Sequence, residues 1–338
     1  MAAAAQTGAR VRLRLLRLSL GLAGLLGAAR LDAQTQVIIV TGASGEPQYA
    51  ASFLSAASSL VDALVSRFGF TPDDITYLAE DPARDTKRID GKSTRQELTQ
   101  ALARAAARPG DRVLLFLIGH GSHSGSDSRF NLPGPDLTAA ELGVMLEPLK
   151  GKQVAIVNAA SASGDFVAAL SARNRIVITA TKSSYERNET LFPKYFVAAF
   201  AVTGADTDKD ERVSLLEAFT YARREVARAY ETDSRLPTEH AMLDDDGDRR
   251  GSAEPDPRSG DGALARRFII GARTATAGAT ANGADVALAR RKEQLEAQVD
   301  SLRRRKETMS AEVYERELER LLVSLARVNQ ELRGSKSP

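Results

Sequence analysis

Apolar, β-branched runs alternate with amphipathic stretches along most of the chain. The run QVIIVTG (Gln36 to Gly42) is followed by a segment from about Glu46 to Phe68 whose apolar residues recur three and four apart, the spacing of a helix with one buried face. Strand-length runs that are apolar throughout mark strands covered on both faces. Others are ITYLAED (Ile75 to Asp81), RVLLFLIGHG (Arg112 to Gly121), KQVAIVNAA (Lys152 to Ala160) and RIVITAT (Arg175 to Thr181), with helices expected near Ser93 to Ala107 and Thr138 to Leu149. Five such strands joined by helices predict an α/β domain built on an open, mostly parallel, doubly wound sheet with helices on both faces. Helices are expected at Phe192 to Ala201 and Ser214 to Tyr230, before a Gly/Asp/Pro-rich stretch from Asp244 to Gly262. RFIIG (Arg267 to Gly271) reads as a last short strand at the sheet edge.

The two ends follow different patterns. Arg10, Arg12, Arg14 and Arg17 precede the apolar run Leu18 to Ala29, and small residues continue to Ala33, which is the layout of a secretory signal peptide over residues 1–33. That run is about a dozen residues, short of the ~20 needed to span a bilayer. No later segment is expected to have the length and apolarity of a span, so the chain is expected to be exported, to the periplasm or the medium. The α/β domain then covers 34–271, a small-residue linker 272–284, and a helical hairpin or coiled coil 285–333. In the last segment Leu288, Leu295, Val299, Leu302 and Met309, then Tyr314, Leu318, Leu321, Leu325, Val328 and Leu332, keep a three/four spacing on either side of a break at Thr308 to Ser310. The pattern fits two antiparallel helices with Ser310 capping the second, packed on each other or offered to a partner or a second copy.

Composition narrows the chemistry. The 338 residues contain no cysteine, so disulfides, thiolate zinc sites, iron–sulfur clusters and a cysteine nucleophile are all excluded. Export without cysteine suits a bacterial protein. With 46 Lys+Arg against 44 Asp+Glu the net charge is +2, which gives no electrostatic footprint for nucleic acid.

Ligands of doubly wound sheets bind beyond the carboxyl ends of the strands. The first end, QVIIVTGASG (Gln36 to Gly45), begins like a dinucleotide-binding turn, but the later glycines of that fingerprint fall at Glu46 and Gln48, where a carboxylate repels phosphate. Tyr185 is followed four residues on by Glu189, not by the lysine of short-chain reductases. LIGHGSHSG places His120 where a strand emerges, with His123 on what reads as a solvated loop. VNAASASGDF places Ser161 and Ser163 before Gly164 and a helix whose free amides could form an oxyanion site.

A strand ending in His-Gly, a strand ending in ASASG, then ITATKSSYERNET and FPKYF, in that order, resemble the legumain-like and caspase-like cysteine peptidases over about Gln36 to Gly251. The resemblance implies a caspase-like fold with His120 as general base, Gly121 as the oxyanion amide, and Ser161 at the position of the nucleophilic cysteine. A thiol of pKa about 8.5 is partly ionised at neutral pH; a serine hydroxyl needs a tightly coupled base, usually a histidine oriented by a carboxylate. No carboxylate near His120 in sequence suggests such a partner. The legumain pocket for asparagine is also altered: its basic residues fall at Ala50 and Ala51, and its acid two before the nucleophile falls at Ala159. The expectation is a catalytically degenerate homologue that binds a peptide or protein at its cleft. The alternatives are a hydrolase using Ser161 with His120, and a coiled-coil assembly protein.

Calcium is the one expected cofactor. Asp206, Asp208, Asp210, Arg212, Ser214 and Glu217 occupy positions one, three, five, seven, nine and twelve of a calcium loop, with Arg212 offering its carbonyl. The usual glycine at position six is Glu211, which must take a positive φ or alter the turn. A solvated loop that caps the next helix is the plain alternative. DDDGDRRG (Asp244 to Gly251) alternates acids too but lacks the glutamate at position twelve.

Overall fold

The computed structural model describes residues 35–125, 127–209, 212–270, 283–304 and 306–334. The signal segment and most of the linker lie outside the described residues. Every residue of the run TQVIIVT is buried as β1 (Thr35–Thr41), at the heart of a seven-stranded sheet. The other strands of the sheet are β2 (Ile75–Ala79), β3 (Gly91–Lys92), β4 (Arg112–Ile118), β8 (Gln153–Asn158), β9 (Arg175–Thr179) and β10 (Met242–Asp244), in the order β10-β9-β8-β4-β1-β2-β3. All pairs are parallel except β10 with β9. The five expected strands all form.

Alternation along each strand divides the core. Val37 and Ile39 of β1 and Leu114, Phe116 and Ile118 of β4 face α1 (Pro47–Phe68), α5 (Phe192–Ala199) and α6 (Leu215–Thr232). Ile38, Val40, Leu115 and Leu117 face α2 (Arg95–Ala107), α3 (Ala139–Met145) and α4 (Phe166–Leu170). The chain leaves β1 for β2 on one side and returns across it to β4 on the other, so the order reverses at the β1/β4 boundary, where a crevice is expected.

Three expectations are corrected. RFIIG does not join the sheet: α7 (Ala263–Arg267) precedes it, Phe268 and Ile270 are buried in the core, and its backbone pairs with the start of α6 through Leu215 N to Phe268 O at 3.0 Å. The sheet edge goes instead to the three residues of β10, too short to show alternation. Second, α1 is long and apolar enough to cross a membrane by composition. Its apolar stripe, including Phe53, Ala57, Leu60 and Leu64, is spent on the core. Third, β5 (Gly121–Ser124), β6 (Asp127–Phe130) and β7 (Leu137–Thr138) form a small antiparallel sheet where a loop was expected.

Beyond the linker, α8 (Gly283–Arg304) and α9 (Ala311–Gly334) pack on one another. Leu295, Val299, Leu302, Leu321 and Val328 are buried between them, flanked by Leu288, Met309, Tyr314, Leu318 and Leu325. The residues picked out by spacing are those that form this separate core. Leu332 lies outside the described side chains.

Candidate active site

β4 and β8 run side by side, with Leu117 opposite Asn158, so His120 and Gly121 leave the sheet next to Ser161. The approach is close enough to demand glycine: a Cβ on Gly121 would lie 2.0 Å from the Ser161 carbonyl oxygen. Ser161, only 3% exposed, accepts the Gly121 N–H on its Oγ at 3.1 Å and donates its hydroxyl to the Gly121 carbonyl at 3.3 Å. The His120 ring is turned to α1, edge-on to Tyr49 at 4.6 Å and Phe53 at 5.1 Å between centroids. Among the described residues no hydrogen bond joins the ring to Ser161.

The neighbouring turn is built by its own constraints. Ala162 has φ +50°, a left-handed conformation that costs energy for a residue with a Cβ, and its N–H donates to Glu186 O at 2.7 Å. Ser163 is 1% exposed and paired with Thr181 Oγ1 at 3.1 Å, which ties β8 to β9 and makes it structural. Gly42 is explained by contact with backbone, not phosphate: a Cβ there would sit 2.4 Å from Asn131 O. Asn131 in turn donates its N–H to His120 O at 3.0 Å.

His123 is not on a solvated loop. It lies on β5 with its side chain 14% exposed, its Nδ1 3.7 Å from Asp165 Oδ2 and 3.5 Å from Ser128 Oγ. Antiparallel pairing sets His123 opposite Ser128, a register invisible in the sequence, and Asp165 arrives from the turn before α4. Ser128 Oγ donates directly to Asp165 Oδ2 at 2.7 Å, so one imidazole nitrogen faces both groups. A charge-relay triad needs the imidazole between them, one nitrogen to each; this cluster orients side chains without that relay.

The rim is carried by carboxylates. Glu186 accepts the amides of Lys182 and His240, each at 3.0 Å, which gives His240 a place beside the Ala162 turn despite its distance in sequence. Glu239, 4% exposed, accepts the Leu191 amide at 2.7 Å and the Phe192 amide at 3.0 Å at the start of α5. At the ends of β1 and β2 a cavity of about 490 Å³ is lined by Ser44, Ala50, Phe53, Tyr77, Glu80 and Arg84. Glu80 there accepts the Ser44 hydroxyl at 2.6 Å. Phe53 lines this cavity and also touches the His120 ring.

The Peptidase C13 family model matches residues 74–241. The α/β domain belongs to the peptidase C13 family. No curated protein matches the chain. The matched segment runs from β2 to the residue before β10 and contains both His120 and Ser161. Tyr49 and Phe53 precede it, and the Asp244 to Gly262 stretch follows it.

Of the expected calcium ligands, Asp206, Asp208 and Glu217 each bring a carboxylate oxygen within 4.8 Å of the others. Asp210 and Glu211 lie outside the described residues, and Arg212 is exposed. Among the described residues of this loop, Lys209 has a positive φ of +57°. Ser214 and Glu217 form a capping box at the start of α6, the Ser214 hydroxyl donating to Glu217 Oε2 at 2.8 Å. Glu217 Oε1 accepts the Thr207 amide at 2.9 Å. The bonds of the helix-capping alternative are therefore all made.

Proposed function

We propose that this chain is an exported, catalytically degenerate member of the peptidase C13 family whose cleft binds a peptide or protein segment without cleaving it. The observation that carries this reading is the closure of Ser161 onto Gly121. A serine attacks a carbonyl only when a base takes its proton and backbone amides receive the oxyanion. Here the hydroxyl donates to the Gly121 carbonyl, and the Gly121 amide, which would serve as oxyanion donor, is occupied by the same hydroxyl. The histidine is held by two aromatic rings. A thiolate would work with looser coupling, but the chain has no cysteine. The aromatic wall and the cavity beside it support retention of the binding half of the function, and the arginine-led apolar N-terminus supports export.

The test is hydrolysis of a mixed fluorogenic peptide library by the full chain, with Ser161→Ala and His120→Ala beside it. The expected result is the same background rate for all three. Turnover by the unaltered chain that both substitutions abolish would overturn the reading in favour of a serine hydrolase.

A further inference from the structure

The stretch DDDGDRRG lacks the distant acid of a calcium loop, and the fold supplies one from elsewhere. Asp245 accepts the Gly262 amide on Oδ1 and the Ala265 amide on Oδ2, both at 2.8 Å. That carboxylate is fully used, and its bonds dock the turn before α7 against the end of β10. The turn thereby delivers Asp261, whose Oδ1 accepts the Asp245 amide at 2.9 Å and the Asp246 amide at 3.4 Å. A carboxylate oxygen from each of Asp244, Asp246 and Asp261 then lies within 4.8 Å of the other two. Oxygens on opposite sides of a calcium ion, at about 2.3–2.6 Å each, are about 4.6–5.2 Å apart at most.

A second observation points to a ligand. Asp244 is 1% exposed, and its Oδ2 is buried without a hydrogen-bond partner, although the Gly247 amide and the Ser171 hydroxyl face the same carboxylate. A buried carboxylate oxygen left unpaired is costly. The bonds that Asp246 and Asp261 accept use Oδ1 in both, which leaves the second oxygen of each available to a cation. Asp246, Asp245 and Asp244 add their negative charges around Asp261. Arg249, close in sequence to Asp246, sends its Nε to Ala168 O at 3.1 Å.

We propose that Asp244, Asp246 and Asp261 bind a calcium ion that clamps the Asp244–Gly247 turn to the turn before α7. Calcium suits the donors: they are all oxygen, three are carboxylates, and the set is irregular, whereas magnesium keeps most of its waters and takes one or two carboxylates. The site is separate from the Asp206–Glu217 loop and lies outside the segment matched by the family model.

The experiment is thermal unfolding of the full chain with calcium chloride against EDTA, made in a Glu217→Gln background so that the other acidic loop is removed from the reading. Calcium at about 1 mM is expected to raise the Tm of that protein by about 5 °C, and Asp246→Asn or Asp261→Asn is expected to abolish the rise. Asp246 is exposed, so its amide variant keeps the fold. Should Glu217→Gln itself fail to fold, the comparison is repeated in the unaltered chain, where Asp246→Asn must reduce the shift. No shift in the Glu217→Gln protein, or a shift that Asp246→Asn leaves unchanged in either background, would overturn the proposal.

Discussion

Ser161 and Gly121 show how a single close approach sets the chemistry of a site. Because the Ser161 carbonyl fills the space of a Gly121 side chain, the two backbones meet and the hydroxyl has a donor and an acceptor at hand without reaching for imidazole. The residue types at these positions were legible in the sequence as a histidine and a serine at adjacent strand ends. The direction of the hydroxyl was not, because it depends on backbone groups forty residues apart. Glu239 is a second example. Burial, the larger cause, raises its carboxyl above the ordinary value of 4.5, against the Leu191 and Phe192 amides and the Tyr230 hydroxyl, while Glu186 adds repulsion. A group whose pKa is higher in the folded state stabilises most below its unfolded pKa, and that contribution is lost as pH rises through the folded value. The stability of the unaltered protein relative to Glu239→Gln should therefore fall as pH rises above the ordinary carboxyl value of 4.5, measured by urea denaturation across a pH series; a rising difference would contradict the assignment.

At the scale of elements, the long periodic segments follow the sequence closely. β1, β2, β4, β8 and β9 lie where apolar runs predict them, and α8 and α9 bury the leucines and valines that the three/four spacing selects. The exceptions are short. β10 has three residues, β7 two, and RFIIG trades sheet pairing for contact with the start of α6. Such pieces carry too few positions to show a period, and their pairing is chosen by which edge is open. The hairpin core is small, so one truncation should be felt throughout it. Leu295→Ala, at a site 2% exposed, is expected to cost about 2–5 kcal/mol. Hydrogen exchange should show protection lost across α8 and α9 and kept in β4. Equal loss in β4 would mean the two cores unfold together.

For the molecule as a whole, one face of the sheet is held by an aromatic chain that neither strand nor helix periodicity reveals. Phe196 lies 5.5 Å from Phe116, 5.4 Å from Phe192 and 5.6 Å from Phe200 between ring centroids, and Phe192 reaches Phe219 of α6 at 6.3 Å. Phe196→Ala should cost about 3–5 kcal/mol, a large share of the ~5–15 kcal/mol typical of a domain. It is checked as a lower urea midpoint at unchanged slope. The sequence by itself determined the alternating α/β plan, the family resemblance, the absence of a thiol and the helical pair near its end, because each is written in local period or in residue type. Only the tertiary structure decided where the Ser161 proton goes, that His123 meets Ser128 and Asp165, and that Asp261 completes a cluster begun at Asp244. These depend on strand register and on turns that bring distant residues within a few ångströms, and no local pattern in the chain encodes those distances.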